Sequence, residues 1–342
     1  MASVKVVQQG LGVIGQSILK ELISRGYEIV GVVDKRPDLK GKRLKDLGFT
    51  GKYSDLAITD DWRKIIEKTE VDVLSNATVS KFDVLAPDVK AMAESGRIRA
   101  VISTCEELSY PHLKHRKLAE ELDQTLKQRH VSLLGTGVNP GYVMDTLPLV
   151  ASAPCLTVER IEIDRIMNAS LRREAFQRKI GAGSTRQQFN QLVKEGKIRH
   201  VGLTESVAMM TAALGFDIHS SDVEIKESVP EPLLAKYPVK TEFIEVAPGN
   251  PSGVHQYATC KIKGKETIRL NFKAAVDLQE SYDECRIYPK DGGEPAMKLR
   301  CVGGVFGDTA TIAMIANCIP YLRTAGPGLK TMLDVPARYR KN

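Results

Sequence analysis

Val4-Lys-Val-Val-Gln-Gln9-Gly10-Leu11-Gly12-Val13-Ile14-Gly15 decides the fold class. A short β-like run ends at Gly10, and a stretch of helical length and period begins beyond Gly12. A G-x-G-x-x-G between a strand and a helix has a mechanical reading. Gly10 allows the tight turn, Gly12 lets the backbone approach a pyrophosphate, and Gly15 lets the helix pack on the strand. The helix start leaves backbone N–H groups free for phosphate oxygens. Leu11, Val13 and Ile14 complete the expected cofactor-binding loop.

Outward from this loop, apolar runs alternate with amphipathic stretches, as parallel strands joined by crossover helices require. Strands are expected at 4–9, 28–33, 72–77, 99–104 and 131–135, with helices at 13–25, 60–68, 84–95 and 114–129. The fold class is therefore α/β: a Rossmann-type doubly wound parallel sheet over residues 1–140. After Gly137-Val-Asn139-Pro140-Gly141 another helix is expected, with Pro140 in its first turn. From about residue 157 the pattern changes. A strand over 158–167, helices near 184–196 and 204–215, and strands over 222–302 predict an α+β domain with a largely antiparallel sheet at 141–305. Turns are read at Pro248–Gly253 and at 290–293. Residues 306–342 form a last segment whose helix, Asp308 to Leu322, is apolar nearly all round. Such a helix must be buried, against the first domain or in a dimer interface.

Composition narrows the classes of function. The chain has 342 residues, 42% of them hydrophobic, enough for two cores. No apolar run reaches the roughly 18 residues of a membrane span, and the N-terminus reads straight into a strand, so a cytoplasmic protein is expected. The six cysteines show no CxxC and no Cys/His pair at zinc spacing, so neither disulfides nor a metal is expected. The net charge of +7 comes from Lys and Arg interleaved with Asp and Glu, which favours an anionic small molecule over nucleic acid.

Asp34 closes the second strand about 20 residues after the loop, where a carboxylate can accept the ribose hydroxyls of NAD. Lys35 and Arg36 follow at once and are placed to neutralise the 2′-phosphate of NADP, or are ordinary solvated cations. Both cofactors are therefore expected. Asn76-Ala77-Thr78 ends the third strand beside the ligand, with a plain helix cap as the competing role of Thr78.

Val101-Ile-Ser-Thr104-Cys105-Glu106-Glu107-Leu-Ser-Tyr110-Pro111 is the most informative segment, because a hydrophobic strand runs directly into two carboxylates. A carboxyl partly desolvated beside its neighbour has a raised pKa and suits proton transfer; the same pair can instead cap or salt-bridge the next helix. Strand alternation lets only one of them face the cleft. Cys105 offers a rival chemistry, a thiolate nucleophile of a semialdehyde dehydrogenase, but its acidic neighbours oppose a lowered thiol pKa. Thr104 and Cys105 are also placed near the cofactor. His112 and His115 lie within a turn and are read as helix-start residues or proton-transfer partners.

Four stretches together resemble the 2,4-diaminopentanoate dehydrogenase family, which includes native amine dehydrogenases and has a dihydrodipicolinate-reductase-like fold. They are Gly10–Gly15, Ser103–Pro111, Gly135-Thr-Gly-Val-Asn-Pro-Gly-Tyr-Val-Met-Asp145, and the ending Gly304–Thr311 through Pro327–Pro336. The resemblance implies reversible oxidative deamination: hydride passes from an amine-bearing carbon to the nicotinamide, and water releases ammonia. It implies that a strand-end glutamate binds the amine and moves protons, here Glu106, with Glu107 as its alternate. It also places Asn139, Pro140 and Gly141 near the nicotinamide. Tyr142, Arg165, Met167 and Asn168 are the expected pocket walls. A diamino acid needs a cationic partner for its carboxylate, which Arg165, Arg172 or Arg173 could supply, whereas a simple alkyl amine or ketone needs only an apolar pocket. The paired histidines of true dihydrodipicolinate reductases have no counterpart, which argues against that activity. The expected partners are an amine, or a ketone or aldehyde with ammonia, and a second copy of the chain. Two other readings stay open: a carbonyl or semialdehyde dehydrogenase working through Cys105, and a dinucleotide-sensing protein without turnover.

Overall fold

A computed structural model describes residues 3–290, 292–336, 338 and 339. The chain divides into two compact units, Met1–Tyr142 with Gly307–Asn342, and Val143–Phe306.

The first unit begins with β1 (Lys5–Gln9), α1 (Val13–Ser24) and β2 (Glu28–Val33). It continues through the two-residue β3 (Ile58–Thr59), the single-turn α2 (Arg63–Ile66), β4 (Val73–Asn76), α3 (Phe82–Glu94), β5 (Ala100–Ser103), α4 (His112–Gln128) and β6 (Ser132–Gly135). All pairings are parallel, and the order across the sheet is Gly328–Lys330, β6, β5, β4, β1, β2, β3. The order reverses between β1 and β4, the switch point where doubly wound sheets place their ligands. Strands buried on both faces need near-continuous apolar runs, and Val73, Leu74, Val101, Ile102, Leu133 and Leu134 are all buried.

The helix expected at 60–68 shrinks to α2; Asp60 and Asp61 precede it, paired with Lys64 and Arg63 of its first turn and with Lys40. The helix Gly307–Leu322 returns to this unit, where it packs on α1 and on β5, burying Met314, Ile315, Cys318 and Ile319. Arg25 anchors it by donating from Nη1 to Asn317 Oδ1 at 2.8 Å. The strand Gly328–Lys330 beyond it extends the sheet next to β6.

The second unit opens with α5 (Thr146–Ser152), not at Pro140. Gly141 has φ +124°, outside any helix, and the buried Asp145 carboxylate caps α5 by accepting the Thr146 N–H and the Ser206 hydroxyl. Then come β7 (Arg160–Asn168), α6 (Glu174–Lys179), α7 (Arg186–Lys194) and α8 (Leu203–Ala213). The remaining strands are β8 (Val223–Glu227), β9 (Glu231–Leu234), the β10–β11 pair (Val239–Lys240, Glu245–Val246), β12 (Pro251–Ile262), β13 (Lys265–Ala275), β14 (Tyr282–Tyr288) and β15 (Met297–Val302). Their sheet runs β15, β14, β7, β13, β12, β8, with β9 also on β12; only β7–β13 is parallel.

The turn read over Pro248–Gly253 ends at Asn250, because Pro251 already pairs with Leu234. Of the turn at 290–293, Asp291 lies outside the described residues. Alternation along β7 buries Ile161, Ile163 and Arg165 on one face. The other face carries a charged ladder in which Arg286 meets Glu162 at 3.1 Å, Asp164 at 2.6 Å, and Glu284.

Candidate active site

The phosphate loop is shaped by what a side chain would strike. A Cβ on Gly10, whose φ is +89°, would lie 2.4 Å from the Ala77 carbonyl, and one on Gly15 would lie 2.0 Å from the Gly10 carbonyl. The ends of β1 and β4 and the start of α1 close on one another only because these positions are bare. A Cβ on Gly12 would meet nothing within 4 Å. Gly12 is the N-cap of α1, no side chain caps that helix, and its first turn holds no acidic residue. Exposed Gly12 and Val13 and half-buried Ile14 thus form an open crest of helix-start N–H groups, which suits a diphosphate. Leu11 faces inward: it is fully buried, its N–H donates to Asp34 Oδ2 at 2.7 Å, and its carbonyl accepts from Gln16 Nε2.

Asp34 sits at the end of β2 and is already engaged. Its Oδ1 accepts the Arg36 N–H at 2.9 Å and Nε at 3.1 Å, while Arg36 Nη2 reaches Asp34 Oδ2 at 3.2 Å and the Leu11 carbonyl at 2.9 Å. Burial pushes the Asp34 pKa up, but the Arg36 side chain, the two backbone N–H donors and the Arg36 charge together hold it below the ordinary value. Arg36 is therefore folded over the Asp34 carboxylate and is not an idle surface cation. Lys35 is largely exposed, its Nζ 3.9 Å from Asp88.

The expected residues at the ends of β4 and β5 divide. Ala77 and Thr78 stand over the bare Gly10, within 2.4 Å and 3.1 Å of where its Cβ would be. Asn76 is fully buried; its Oδ1 accepts the hydroxyls of Ser103 (2.9 Å) and Thr78 (3.2 Å), and its Nδ2 donates to Gln9 Oε1 (3.1 Å). Its amide is bonded within the protein to Gln9, Thr78 and Ser103. Thr104 donates its N–H to the Asn76 carbonyl at 3.0 Å.

β5 ends at Ser103, and Glu106–Ser109 forms a single 3-10 turn, so the alternation argument for choosing between the two glutamates does not apply. Within the turn, the Glu107 carboxylate has a structural task. Glu107 Oε2 accepts the Phe82 N–H at 3.0 Å at the start of α3, and its carboxylate lies 3.5 Å from His115 Nε2 and 3.9 Å from Lys114 Nζ. Glu107 is a helix-capping carboxylate. Asp83, Glu107 and His115 bring ligand-type atoms within 4.8 Å of one another, but the α3 N-terminus and Lys114 already supply positive charge there.

Glu106, half-buried, has its backbone fixed from three sides. Cys105 donates its N–H to Ser103 Oγ (3.1 Å), the Ser109 hydroxyl donates to the Glu106 carbonyl (2.7 Å), and the Glu107 N–H reaches the Ser80 carbonyl (3.2 Å). Gly135 lets β6 press against this turn, since a Cβ there would lie 2.6 Å from the Leu108 backbone. The Cys105 side chain is 1% exposed within the hydrophobic core, and burial, aided by both glutamates, pushes its thiol up to about 12. A thiol so buried and so hard to ionise is no nucleophile. Its burial agrees with the packing role that its acidic neighbours favour.

Beyond β6, Asn139, Pro140 and Gly141 form turns and not a helix start. A residue the sequence did not reveal braces this loop: Thr311, one turn into the C-terminal helix, accepts the Val138 N–H at 3.3 Å. Gln9, Asp88 and Ser103 were missed too. The available signal was a polar residue closing each of three strands, in Val-Val-Gln-Gln9, Val-Leu-Ser-Asn76 and Ala-Val-Ile-Ser103.

The second unit uses its expected pocket residues internally. Arg165 and Asp283 are each 3% exposed and pair at 2.7 Å; together they grip Val305, Arg165 Nη2 on its carbonyl (3.0 Å) and Asp283 Oδ2 on its N–H (2.6 Å). Asn168 braces the turn after β13 through Leu278, Ser281 and Ser170. Met167 touches Arg172, whose guanidinium lies between the rings of Phe176 (4.6 Å) and Phe306 (4.3 Å). Arg165 and Arg172 are thus committed within this unit. An open depression of about 1090 Å³ lies along α6 and α7, lined by Arg178, Ser184, Gln187, Asn190 and Lys194. Tyr142, half-buried, ends the first segment of the first unit.

Residues 142–340 match the family described as the 2,4-diaminopentanoate dehydrogenase C-terminal domain. The chain is 32% identical over 340 residues to the 2,4-diaminopentanoate dehydrogenase of Acetoanaerobium sticklandii, covering 98% of this chain and 94% of that one. The chain belongs to the 2,4-diaminopentanoate dehydrogenase family. As a member it is an oxidoreductase of the amine dehydrogenase kind. Among solved structures it is similar to the amine dehydrogenase from Mycobacterium smegmatis, with TM-score 0.81 and 22% identity over 100% of this chain and 98% of that one. A dihydrodipicolinate reductase from Paenisporosarcina sp. TG-14 shares the fold, with TM-score 0.54, 10% identity and coverage of 97% of this chain and 99% of that one.

Proposed function

We propose that this chain interconverts an amine-bearing carbon with its ketone or aldehyde and ammonia, using NAD or NADP, and that 2,4-diaminopentanoate is its first substrate to test. One observation carries the reading. The carboxyl edge of one sheet holds both the open, uncapped crest at Gly12 and the separately braced Glu106 turn, while Glu107 is withdrawn into capping α3. The crest would hold the cofactor diphosphate. Asp34 would accept the ribose hydroxyls of NAD, and Arg36, released from Asp34, would meet the 2′-phosphate of NADP. When bound, the nicotinamide supplies the hydride acceptor. Glu106 takes a proton from the substrate ammonium, freeing the nitrogen lone pair to assist hydride departure. With its own proton released, it then accepts one from the water that adds to carbon and passes it to nitrogen, so that ammonia departs as the C–N bond breaks and the carbonyl forms.

The described residues contain no helix long and apolar enough to cross a membrane, and the proposed setting is the cytoplasm. The proposed assembly is a homodimer. Its support is the charged ladder of half-buried Arg286, Glu162 and Asp164 with buried Glu284, on the sheet face opposite Ile161 and Ile163, which a second copy could cover.

Reduction of NAD+ and NADP+ should depend on 2,4-diaminopentanoate and yield ammonia stoichiometrically. Turnover of a simple alcohol or aldehyde without ammonia production would replace this reading with a carbonyl dehydrogenase. Tight cofactor binding without turnover of any amine or ketone would replace it with a sensor.

A further inference from the structure

Gln9, Asn76 and Ser103 are the last residues of β1, β4 and β5, and the parallel register sets them side by side: Gln9 opposite Asn76, and Asn76 opposite Ser103. They are 3%, 0% and 0% exposed. Three polar side chains in one buried row are costly unless each is hydrogen-bonded. Here every bond in the row points the same way. The Cys105 N–H donates to Ser103 Oγ, the Ser103 hydroxyl to Asn76 Oδ1, Asn76 Nδ2 to Gln9 Oε1, and Gln9 Nε2 to Asp88 Oδ2, at 3.1, 2.9, 3.1 and 3.0 Å. Trp62 Nε1 holds the other Asp88 oxygen at 3.0 Å. A one-way chain ending on a carboxylate polarises each of its members. It also fixes which way each amide faces, since a flipped Gln9 would aim its oxygen at Asp88.

We propose that the row Ser103–Asn76–Gln9, anchored on Asp88, is a positioning device that sets the peptide of Cys105 and thereby the turn presenting Glu106. Its residues act through that turn. This rests on the reading of Glu106 as the proton-moving group.

The test uses the full chain and five variants, Ser103→Ala, Asp88→Asn, their double, Ser103→Thr and Glu106→Gln. Each is assayed for oxidation of 2,4-diaminopentanoate across pH and for NADH and NADPH binding by fluorescence. Ser103→Ala and Asp88→Asn should each lower kcat about tenfold and move the acidic limb of the pH–rate profile by about half a unit, with cofactor Kd within about twofold. The double variant should be scarcely worse than the poorer single, because both cut one chain. Ser103→Thr, which keeps the hydroxyl, should recover most of kcat. A loss of stability without these kinetic changes, or additive losses in the double, would overturn the device while leaving Glu106 in place. If Glu106→Gln keeps full turnover, the reading of Glu106 falls and the inference with it.

Discussion

Replacing Arg165 by Met should destabilise the second unit far more than removal of a surface cation would. Arg165 and Asp283 are both 3% exposed, and three short bonds join them to each other and to Val305. Met fills the volume of the side chain but leaves the Asp283 carboxylate buried with only the Val305 N–H among these partners. Breaking one side of such a pair costs about 3 to 5 kcal/mol. The unit Val143–Phe306 holds 164 residues, counted from its two ends. At roughly 2 to 4 °C per kcal/mol for that size, Tm should fall by about 6 to 20 °C. Differential scanning calorimetry of the whole protein measures this. Because the damage is an orphaned charge, Arg165→Met with Asp283→Leu should recover at least half of the lost Tm. A fall below about 2 °C for the single variant, or a double variant as poor as the sum of its singles, would refute the buried-pair account.

Gly15→Ala should abolish cofactor binding at ordinary concentrations, since its Cβ would lie 2.0 Å from the Gly10 carbonyl; fluorescence titration with NADH checks this, and wild-type affinity would refute the loop geometry. Arg36→Ala should lower the preference for NADPH over NADH by about tenfold, the scale of one charged contact to a phosphate, measured as the ratio of kcat/KM values. The same variant has a pH signature. The folded-state pKa of Asp34 lies below its unfolded value, so its stabilisation is present above about pH 3.9 and is lost as pH falls through the folded pKa. Without Arg36 that pKa rises, and the acid-unfolding midpoint should move to higher pH. Glu107→Gln should cost about 0.5 to 2 kcal/mol of stability through the weakened cap of α3, seen in urea unfolding, while kcat changes less than in Glu106→Gln.

Much of the first unit was readable because its determinants are local. The loop Gly10–Gly15 sits between a strand and a helix, and β2, β4, β5 and β6 are apolar runs whose ends the structure places within one residue of the expected ones. What escaped has non-local causes. Gly328–Lys330 is three residues long and is a strand only because β6 offers it an edge. Pro140 resembled a helix start until the φ of Gly141 and the capping by Asp145 placed that start at Thr146. At the site, the sequence showed two adjacent carboxylates but not their difference, which is set by Phe82, 25 residues away, claiming Glu107. Arg165 reads as a free cation until Asp283, 118 residues further on, is seen to neutralise it. Gln9, Asn76 and Ser103 form a row only when three strands lie in register.

The most direct test of the central claim is the ammonium dependence of NAD(P)H oxidation with a ketone or aldehyde panel, run on the wild type and on Glu106→Gln. The account predicts that wild-type oxidation requires both carbonyl compound and ammonium, and that Glu106→Gln loses about a hundredfold or more in kcat while still binding cofactor. Oxidation that proceeds equally well without ammonium, or a Glu106→Gln variant with wild-type turnover, would contradict it.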